Sequence, residues 1–271
     1  MTTPKFCRVA IIVNDMGSFV SDATTLLGLE FIAPSIGNEF PAIKVLFGEH
    51  GLEPIQVLQD VAFARDGRLI EVAIDVADAE ATKIKFKAAG YQPVVSNFLP
   101  APNAHEYLFG RDFHGLPVMV CTAGDNEKQM RVDGPFRELD AAPAPKIGCV
   151  SVIVDSIDVV SRDFHKLFGM TFVETDAGGL GARAVVGSHR VKLIEGPTDA
   201  LMQEFEPPLA AIEFMFDDVE ATREKLEAAG YPVKYTRALN SGGNAYYFGA
   251  VFQRMPLGIY PTTADAEILG C

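Results

Sequence analysis

Hydrophobic residues recur along the chain in two alternating patterns. Short stretches rich in Val and Ile have the period of a β-strand, and each is followed by a stretch with the period of one amphipathic helix. The segment 9–31 shows a strand, an aspartate and a helix ending in Leu-Gly, and the segment 150–172 repeats this with Phe-Gly. Strands mixed with single helices in this way predict an α+β fold.

The same segments occur twice, which indicates an internal duplication. VADAEATKIKFKAAGYQPV at 76–94 matches DVEATREKLEAAGYPVKY at 218–235. Both predict a helix that begins at an acidic cap and ends at a glycine, Gly90 or Gly230. The match extends from HEYLFG at 105–110 to NAYYFG at 244–249. The chain is therefore two halves of two modules each.

Each module reads as a strand, a helix and three further strands. One βαβββ unit leaves a sheet face uncovered, so we expect two units to pair and form a cleft. Polar and proline-bearing sequence between the halves fits a linker. We predict an N-terminal domain at 1–122 with modules 5–60 and 67–122, a linker at 123–145, and a C-terminal domain at 146–271 with modules 146–197 and 208–263.

Composition narrows the possible partners. The chain has 271 residues, is 48% hydrophobic and 22% charged, and carries a net charge of −13. That charge disfavours nucleic acid, and no apolar run reaches the roughly 20 residues that cross a bilayer. The N-terminus lacks the features of a signal peptide. The cysteines are far apart and form no CxxC pair, so we expect reduced thiols in a cytoplasmic protein that binds neither nucleic acid nor membrane.

The hairpin GRDFHGLPVMV at 110–120 and the pattern VxD…LFGM, with VND at 13–15 and LFGM at 167–170, carry a resemblance. The chain resembles the vicinal oxygen chelate superfamily, which includes glyoxalase I, bleomycin-resistance proteins and extradiol dioxygenases. The resemblance covers nearly the whole chain. It implies four βαβββ modules paired into two half-open barrel-like domains, each around a small-molecule pocket. It also implies a divalent metal held by first-strand residues and last-strand glutamates.

Transferring those metal positions to this chain leaves few usable ligands. The first-strand positions are Arg8, Glu71, Cys149 and Ala211, and the last-strand positions are Gln56, Met119, Lys192 and Gly258. In the N-terminal set only Glu71 is a good ligand for a hard metal ion. We therefore expect no metal and no other cofactor. The five histidines form no ligand cluster; His50 and His189 occupy matching turns and are expected to face solvent, and His105 lies on a strand that can line the cleft.

Arg8 and Glu71 are the candidate catalytic residues, in a working cleft expected in the N-terminal half. The guanidinium of Arg8 can hold a carboxylate or enolate oxygen where the family places its metal. Glu71 can act as a general base, although a neighbouring arginine lowers the pKa of a carboxyl. An intact pair therefore favours binding or structure over proton abstraction. The alternative is a salt bridge that replaces the metal as a brace between modules.

Other candidate residues form two groups. The substrate-binding candidates in the first cleft are Gln56, Met119, His105, Tyr107 and Phe109. The second-cleft candidates are Cys149, Lys192 and Tyr246. A thiol near an ammonium group becomes nucleophilic, but a free cysteine is more often a buried apolar residue. The paired aromatic residues either pack in the core or form a stacking wall for a flat ligand.

Three functions fit this pattern, and the fold alone does not choose among them. The first is a metal-independent enzyme of the lyase or isomerase type acting on a small carbonyl or aromatic compound. The second is a non-catalytic protein that sequesters a ligand, as in the bleomycin-resistance type. The third is a metal-dependent extradiol-type dioxygenase or lyase with non-standard ligands. In each case the partner is a small organic molecule, and the chain is a monomer or a homodimer.

Overall fold

The structure is a computed structural model that describes residues 4–33, 41–99, 104–124, 137–177, 183–187, 189–196 and 208–270. Most of the predicted linker, 125–136, lies outside the described residues. The chain divides into two compact units. Unit 1 comprises Met1–Val20, Glu30–Ala142 and Asp163–Met170; unit 2 comprises Ser21–Leu29, Pro143–Arg162 and Thr171–Cys271.

The first unit contains a seven-stranded sheet. Its strands are β1 (Lys5–Val13), β2 (Ile43–Val45), β3 (Leu52–Val57), β4 (Leu69–Val76), β5 (Pro93–Leu99), β6 (Ala104–Phe109) and β7 (Val118–Thr122). They lie in the order β2-β3-β1-β4-β7-β6-β5. Helix α1 (Met16–Leu27) follows β1, a 3₁₀ turn (Ala62–Asp66) precedes β4, and helix α2 (Ala79–Ala88) follows it.

The second unit contains an eight-stranded sheet with the same plan. Its strands are β8 (Lys146–Val154), β9 (Val173–Thr175), β10 (Arg183–Val186), β11 (Val191–Glu195), β12 (Leu209–Phe216), β13 (Tyr235–Ala238), β14 (Asn244–Phe252) and β15 (Met255–Pro261). They lie in the order β13-β14-β15-β12-β8-β11-β10-β9. The helices in this half of the sequence are α3 (Ile157–Phe168), α4 (Val219–Ala228), and a 3₁₀ turn (Thr262–Ala264) that leads into the short α5 (Asp265–Ile268).

Strand pairing repeats between the two sheets. Strand β1 runs parallel to β3 and antiparallel to β4, and β8 pairs in the same way with β11 and β12. Strands β4 and β7 are parallel, as are β12 and β15. Both sheets curl into half-barrels. The prediction of an α+β fold with two half-open barrel-like sheets is confirmed.

The helix signals in the repeat also act as predicted. The Asp78 carboxylate accepts a hydrogen bond from the Ala81 amide at 2.9 Å, and the Asp218 carboxylate accepts one from the Ala221 amide at 3.0 Å. Each satisfies an amide that the first helical turn leaves unpaired. Gly90 follows the end of α2 with φ of 98°, a left-handed conformation that glycine adopts without strain. Among the described residues, no helix is long and apolar enough to cross a membrane.

Each strand presents alternate side chains to opposite faces of its sheet. On the outer face of the first sheet, Phe109 stacks on Phe86 of α2 with ring centroids 4.0 Å apart. On the inner face, Cys7, Ala73, Leu108, Met119 and Cys121 pack together as a buried cluster. This inner face carries the polar groups described next.

Candidate functional site

Arg8 lies at the centre of a buried charge cluster on the inner face of the first sheet. Its Nε donates to Glu71 Oε1 at 2.9 Å, and its Nη2 donates to Glu106 Oε1 at 2.9 Å. Glu53 Oε2 lies 2.8 Å from the same Nε. All four residues are at most 7% exposed. One guanidinium therefore joins carboxylates from three other strands, β3, β4 and β6.

The contact between Arg8 and Glu71 was expected, but the third partner was not. On β3, the ligand position of the family was assigned to Gln56. In the structure, Glu53 is the residue of this strand that lies beside Arg8. The amide oxygen of Gln56 accepts from the Met16 amide at 3.3 Å, at the start of α1, so this side chain lies on the helix side. The expectation that Gln56 lines the cleft is wrong. The repeat supports the corrected register, because Glu53 pairs with Ala10 as Lys192 pairs with Ser151.

Strand β6 also faces the opposite way from the expectation. Glu106 points inward, and its neighbours His105 and Tyr107 point toward α2. The Lys83 ammonium lies 4.1 Å from the Tyr107 ring centroid, and the Tyr107 hydroxyl is 3.3 Å from His105 Nδ1. Phe109 lies on the same face of the sheet, which points toward α2. The predicted cleft positions of His105, Tyr107 and Phe109 are therefore wrong, because a shift of one residue along a strand moves every side chain to the other face. Met119 does face inward.

The cluster carries three carboxyls for one arginine. Burial, then the charge of Glu71, raises the pKa of the Glu53 carboxyl well above its ordinary value, against the opposing effect of Arg8. Burial also raises the pKa of Glu71, with Glu106 contributing and Arg8 opposing. Arg8 was expected to lower the pKa of Glu71, but the opposing effect of burial is larger. Glu53 and Glu71 therefore retain their protons to higher pH than free glutamate does.

Glu53 is the member of this cluster that combines a raised pKa with an unsatisfied oxygen. Its buried Oε2 forms an ion pair with Arg8 Nε at 2.8 Å but accepts no hydrogen bond among the described residues, because the single Nε proton of Arg8 points to Glu71. The residue lines a pocket whose other walls include Phe47, Glu49, Leu52, Glu138 and Leu139. The enclosed volume is about 10 Å³, room for one water molecule.

A divalent metal in the family position does not fit these residues. The ion would have to lie among Arg8, Glu53, Glu71 and Met119, where the guanidinium already lies 2.8–2.9 Å from the carboxylate oxygens. Arginine keeps its charge in proteins, so it would repel a second cation at that distance. The thioether of Met119 is a poor ligand for a hard ion. We derive no catalytic step through a metal at this position.

The second sheet carries a smaller cluster at the equivalent place. Glu213 accepts from the Lys192 ammonium at 2.8 Å, from the Ser151 hydroxyl at 2.5 Å and from the Tyr247 hydroxyl at 3.0 Å. The side chains of Lys192 and Glu213 are 0% and 1% exposed. One cation and one anion are balanced, and both oxygens of Glu213 accept hydrogen bonds, which is typical of an internal brace.

The remaining second-cleft candidates do not behave as reactive groups. Burial raises the pKa of the Cys149 thiol to about 12, although Lys192 acts to lower it. Of the two alternatives for Cys149, the buried apolar residue therefore fits the structure better than the activated thiolate. The Tyr246 hydroxyl donates to Glu220 on α4, on the helix side of the sheet. Tyr247, one residue further on, takes the inner position that was expected of Tyr246.

The matching turn histidines are buried, contrary to the expectation that they face solvent. His50 and His189 are 5% and 6% exposed. Each ring packs over the glycine two residues before it, Gly48 or Gly187, so closely that a Cβ there would lie about 2 Å from a ring atom. Burial lowers the pKa of each histidine to about 4. They are neutral packing elements of the two halves.

Comparison with known proteins agrees with this architecture. No protein-family model and no curated protein matches the chain. Among solved structures, the Mn(II)-bound glyoxalase from Novosphingobium aromaticivorans is 17% identical with a TM-score of 0.64, covering 95% of this chain and 81% of that one. A mutant of 4-hydroxymandelate synthase from Streptomyces coelicolor is 13% identical with a TM-score of 0.67, covering 99% and 97%. The 2,3-dioxygenase LapB from Pseudomonas sp. KL28 is 13% identical with a TM-score of 0.63, covering 96% and 93%.

These identities are low, so they establish the fold and leave the reaction open. The matches span nearly the full length of this chain, and the three neighbours are a glyoxalase, a 4-hydroxymandelate synthase and a 2,3-dioxygenase. The chain has the fold of the vicinal oxygen chelate superfamily.

Proposed function

We propose that this chain is a metal-independent enzyme of the lyase or isomerase type that acts on a small carbonyl or aromatic compound at the Arg8 cluster. The observation that carries the proposal is the Glu53 carboxyl. It is buried, its pKa is raised, one of its oxygens lacks a hydrogen bond, and it lines a pocket. Strongly perturbed carboxyls in clefts are typical of functional sites.

Glu53 is the proposed general acid and base. A carboxyl whose pKa is raised toward neutrality can remove a proton from carbon next to a carbonyl and return it elsewhere. The unsatisfied Oε2 is the atom that would accept this proton. Glu71 shares the Arg8 Nε with Glu53, so a change of charge on one carboxyl alters the proton affinity of the other.

Arg8 acts in this proposal as a positioning residue. The earlier expectation gave it an enolate oxygen to bind, but its Nε and Nη2 donate to Glu71 and Glu106. Its charge keeps the surrounding carboxyls in place and limits the rise of their pKa values. The proposed proton transfer therefore belongs to Glu53 rather than to the Arg8–Glu71 pair.

The pocket wall supports a small ligand with an apolar part. Phe47, Leu52 and Leu139 line the pocket together with Glu53. Any ligand larger than a water molecule needs more room than the present volume of about 10 Å³, and the side chain of Leu139 forms part of the wall that limits it. Replacing Leu139 with alanine is therefore expected to increase the affinity for ligands too large for the present volume.

Solvent hydrogen exchange tests the proposal. The protein is incubated in D₂O with a panel of small 2-oxo acids, hydroxyketones and aryl ketones, and loss of the proton next to the carbonyl is followed by NMR. We expect exchange with a subset of the panel and a loss of about 100-fold or more in Glu53→Gln, as general acid–base groups contribute 10²–10⁴-fold. An unchanged rate in Glu53→Gln contradicts the proposal.

The matched control is Glu49→Gln. Glu49 lines the same pocket, but its carboxylate pairs with Arg137 at 2.6 Å at the rim. Its substitution removes a pocket carboxylate without touching the Arg8 cluster, so the exchange rate is expected to change by less than threefold, roughly the scale of a surface contact.

Ligand binding without turnover is the second candidate. It is favoured by the pairing of Arg8 donors with carboxylates, which leaves the cluster suited to brace the sheet. A compound that raises the melting temperature but undergoes no exchange would support this candidate over catalysis.

A further inference from the structure

A second group of chemically reactive side chains lies on the inner face of the first sheet, and one of its members, Cys7, also lines the pocket beside Glu53. Cys7 is on β1, Asp75 on β4 and Cys121 on β7. The two sulfurs and a carboxylate oxygen all lie within 4.8 Å of one another. The three residues are 6%, 1% and 0% exposed. None of them belongs to the proposed catalytic step.

Asp75 lacks the partners that a buried carboxyl requires. Both of its oxygens are buried without a hydrogen-bond partner among the described residues. Leaving such a group unsatisfied costs free energy, so native structures supply a donor, a cation or water. The sulfur of Cys7 instead points toward the Ala73 carbonyl oxygen at 3.4 Å. The unsatisfied oxygens of Asp75 thus mark a place for a cation.

A disulfide between the two cysteines does not explain their proximity. Strand β4 lies between β1 and β7 in the sheet. Two strand spacings amount to about 9–10 Å, whereas disulfides require Cα atoms less than about 7 Å apart. A metal ion bridges this gap, because ligands at about 2.0–2.3 Å from one tetrahedral ion lie roughly 3–4 Å from each other.

We propose that Cys7, Asp75 and Cys121 form a site for a thiophilic divalent cation of the Zn²⁺ class. Two thiolates favour such an ion over Mg²⁺, Ca²⁺ or Mn²⁺, which prefer oxygen ligands. Three protein ligands leave one coordination position open. Two thiolates and one carboxylate bring three negative charges; the ion balances two, and Arg8, next to Cys7 in β1, supplies a further positive charge.

The site differs in its ligands from the superfamily position tested above. None of Arg8, Glu53, Glu71 or Met119 is a ligand here. The sequence alone does not reveal the site, because its three ligands are separated by 68 and 46 positions and come together only through the register of β1, β4 and β7. None of the three ligands takes part in the proposed proton transfer at Glu53.

Cadmium titration tests the site through the absorbance of thiolate-to-metal charge transfer. All proteins carry Cys271→Ser to remove the C-terminal thiol. We expect one Cd²⁺ per chain, release of two thiol protons to a weakly buffered solution, and a rise in melting temperature. Cys7→Ala and Cys121→Ala should lose most of the absorbance, and Asp75→Asn should weaken binding by at least about tenfold, as loss of a ligand does. Cys149→Ala, which removes a buried thiol of the other sheet, should bind as before.

Two results would overturn the site. One is charge-transfer absorbance that persists when Cys7 and Cys121 are both replaced. The other, obtained without any core substitution, is X-ray absorption of the Zn²⁺ complex that shows only oxygen or nitrogen neighbours. Two sulfur neighbours at about 2.3 Å are the expected result.

Discussion

Replacing Arg8 with methionine tests whether the cluster is a coupled electrostatic unit. The substitution keeps most of the side-chain volume and removes the charge that contacts Glu53, Glu71 and Glu106 at 2.8–2.9 Å. Breaking a buried ion pair by removing one partner costs roughly 3–5 kcal/mol. The three contacts do not add to three times this value, because the carboxylates repel one another and can take up protons. We expect a loss of about 3–5 kcal/mol at neutral pH.

The sign of the pH dependence follows from the raised pKa values. Glu53 and Glu71 have higher pKa values in the folded protein than in the unfolded chain. Their contribution to stability is therefore present at low pH and is lost as pH rises through the folded-state values. Because Arg8 lowers the pKa values of Glu53 and Glu71, its removal raises them further. The destabilisation by Arg8→Met should grow between pH 5 and pH 8.

Urea denaturation of a double-mutant cycle measures the coupling. Arg8→Met and Glu71→Leu should show an interaction energy of about 1–3 kcal/mol. The double variant should recover only part of the stability, since Glu53 and Glu106 stay buried. The matched control is Arg183→Met with Glu174→Leu, an exposed pair whose Arg183 Nη2 lies 2.8 Å from Glu174, with an expected coupling below about 1 kcal/mol. A buried pair that couples no more than this exposed pair would refute the electrostatic account.

Two further predictions concern pH and thiol chemistry. The pKa of His189 falls to about 4 on burial, so its contribution to stability is full above the unfolded value near 6.5 and is lost as pH falls toward 4. The free energy of unfolding of His189→Phe, relative to that of the unsubstituted protein, should therefore rise by roughly 3 kcal/mol as the pH falls from 7 to 4. Urea titrations across this range measure the difference, and parallel stability curves for the two proteins would contradict the prediction. Cys149, fully buried with a pKa near 12, should react with iodoacetamide at pH 7.5 only after unfolding, and rapid labelling of the folded protein detected by mass spectrometry would show that its thiol is accessible.

The duplication and the modules could be predicted because they depend on local signals. Asp78, Asp218 and Gly90 determine where helices begin and end through contacts within a few residues. The periods of strands and helices are also local properties. These features predict the α+β modules, whereas the half-barrels and the shared face of Arg8 and Glu71 are what the family resemblance implies.

The partners of Arg8 could not be predicted in the same way, because they depend on strand register. Gln56 and Glu53 lie on one strand, three positions apart, and an odd shift exchanges the two faces. A closer alignment of the repeats contains the missing signal. Leu52 pairs with Val9 as Val191 pairs with Val150, so the equivalent of Lys192 is Glu53. Gln56 instead matches Glu195, and each side chain accepts from the first amide of the helix that follows the first strand of its module.

The buried histidines show another limit of sequence patterns. A histidine in a polar turn is most often exposed, and nothing in its immediate neighbours contradicts this for His50. The deciding feature is tertiary, since the ring of His50 packs against Phe31 with centroids 4.8 Å apart. The repeated Gly-x-His spacing at 48–50 and 187–189 is the signal that a comparison of the halves could have used.

The central claim is that Glu53 moves a proton without the help of a metal. The most direct test is the rate of solvent deuterium incorporation into a reactive carbonyl compound by protein treated with a strong chelator. The account predicts that the chelated protein keeps its full rate, that adding Mn²⁺, Fe²⁺ or Zn²⁺ does not increase it, and that Glu53→Gln lowers it about 100-fold or more. A rate that disappears on chelation and returns with one of these ions would contradict the claim.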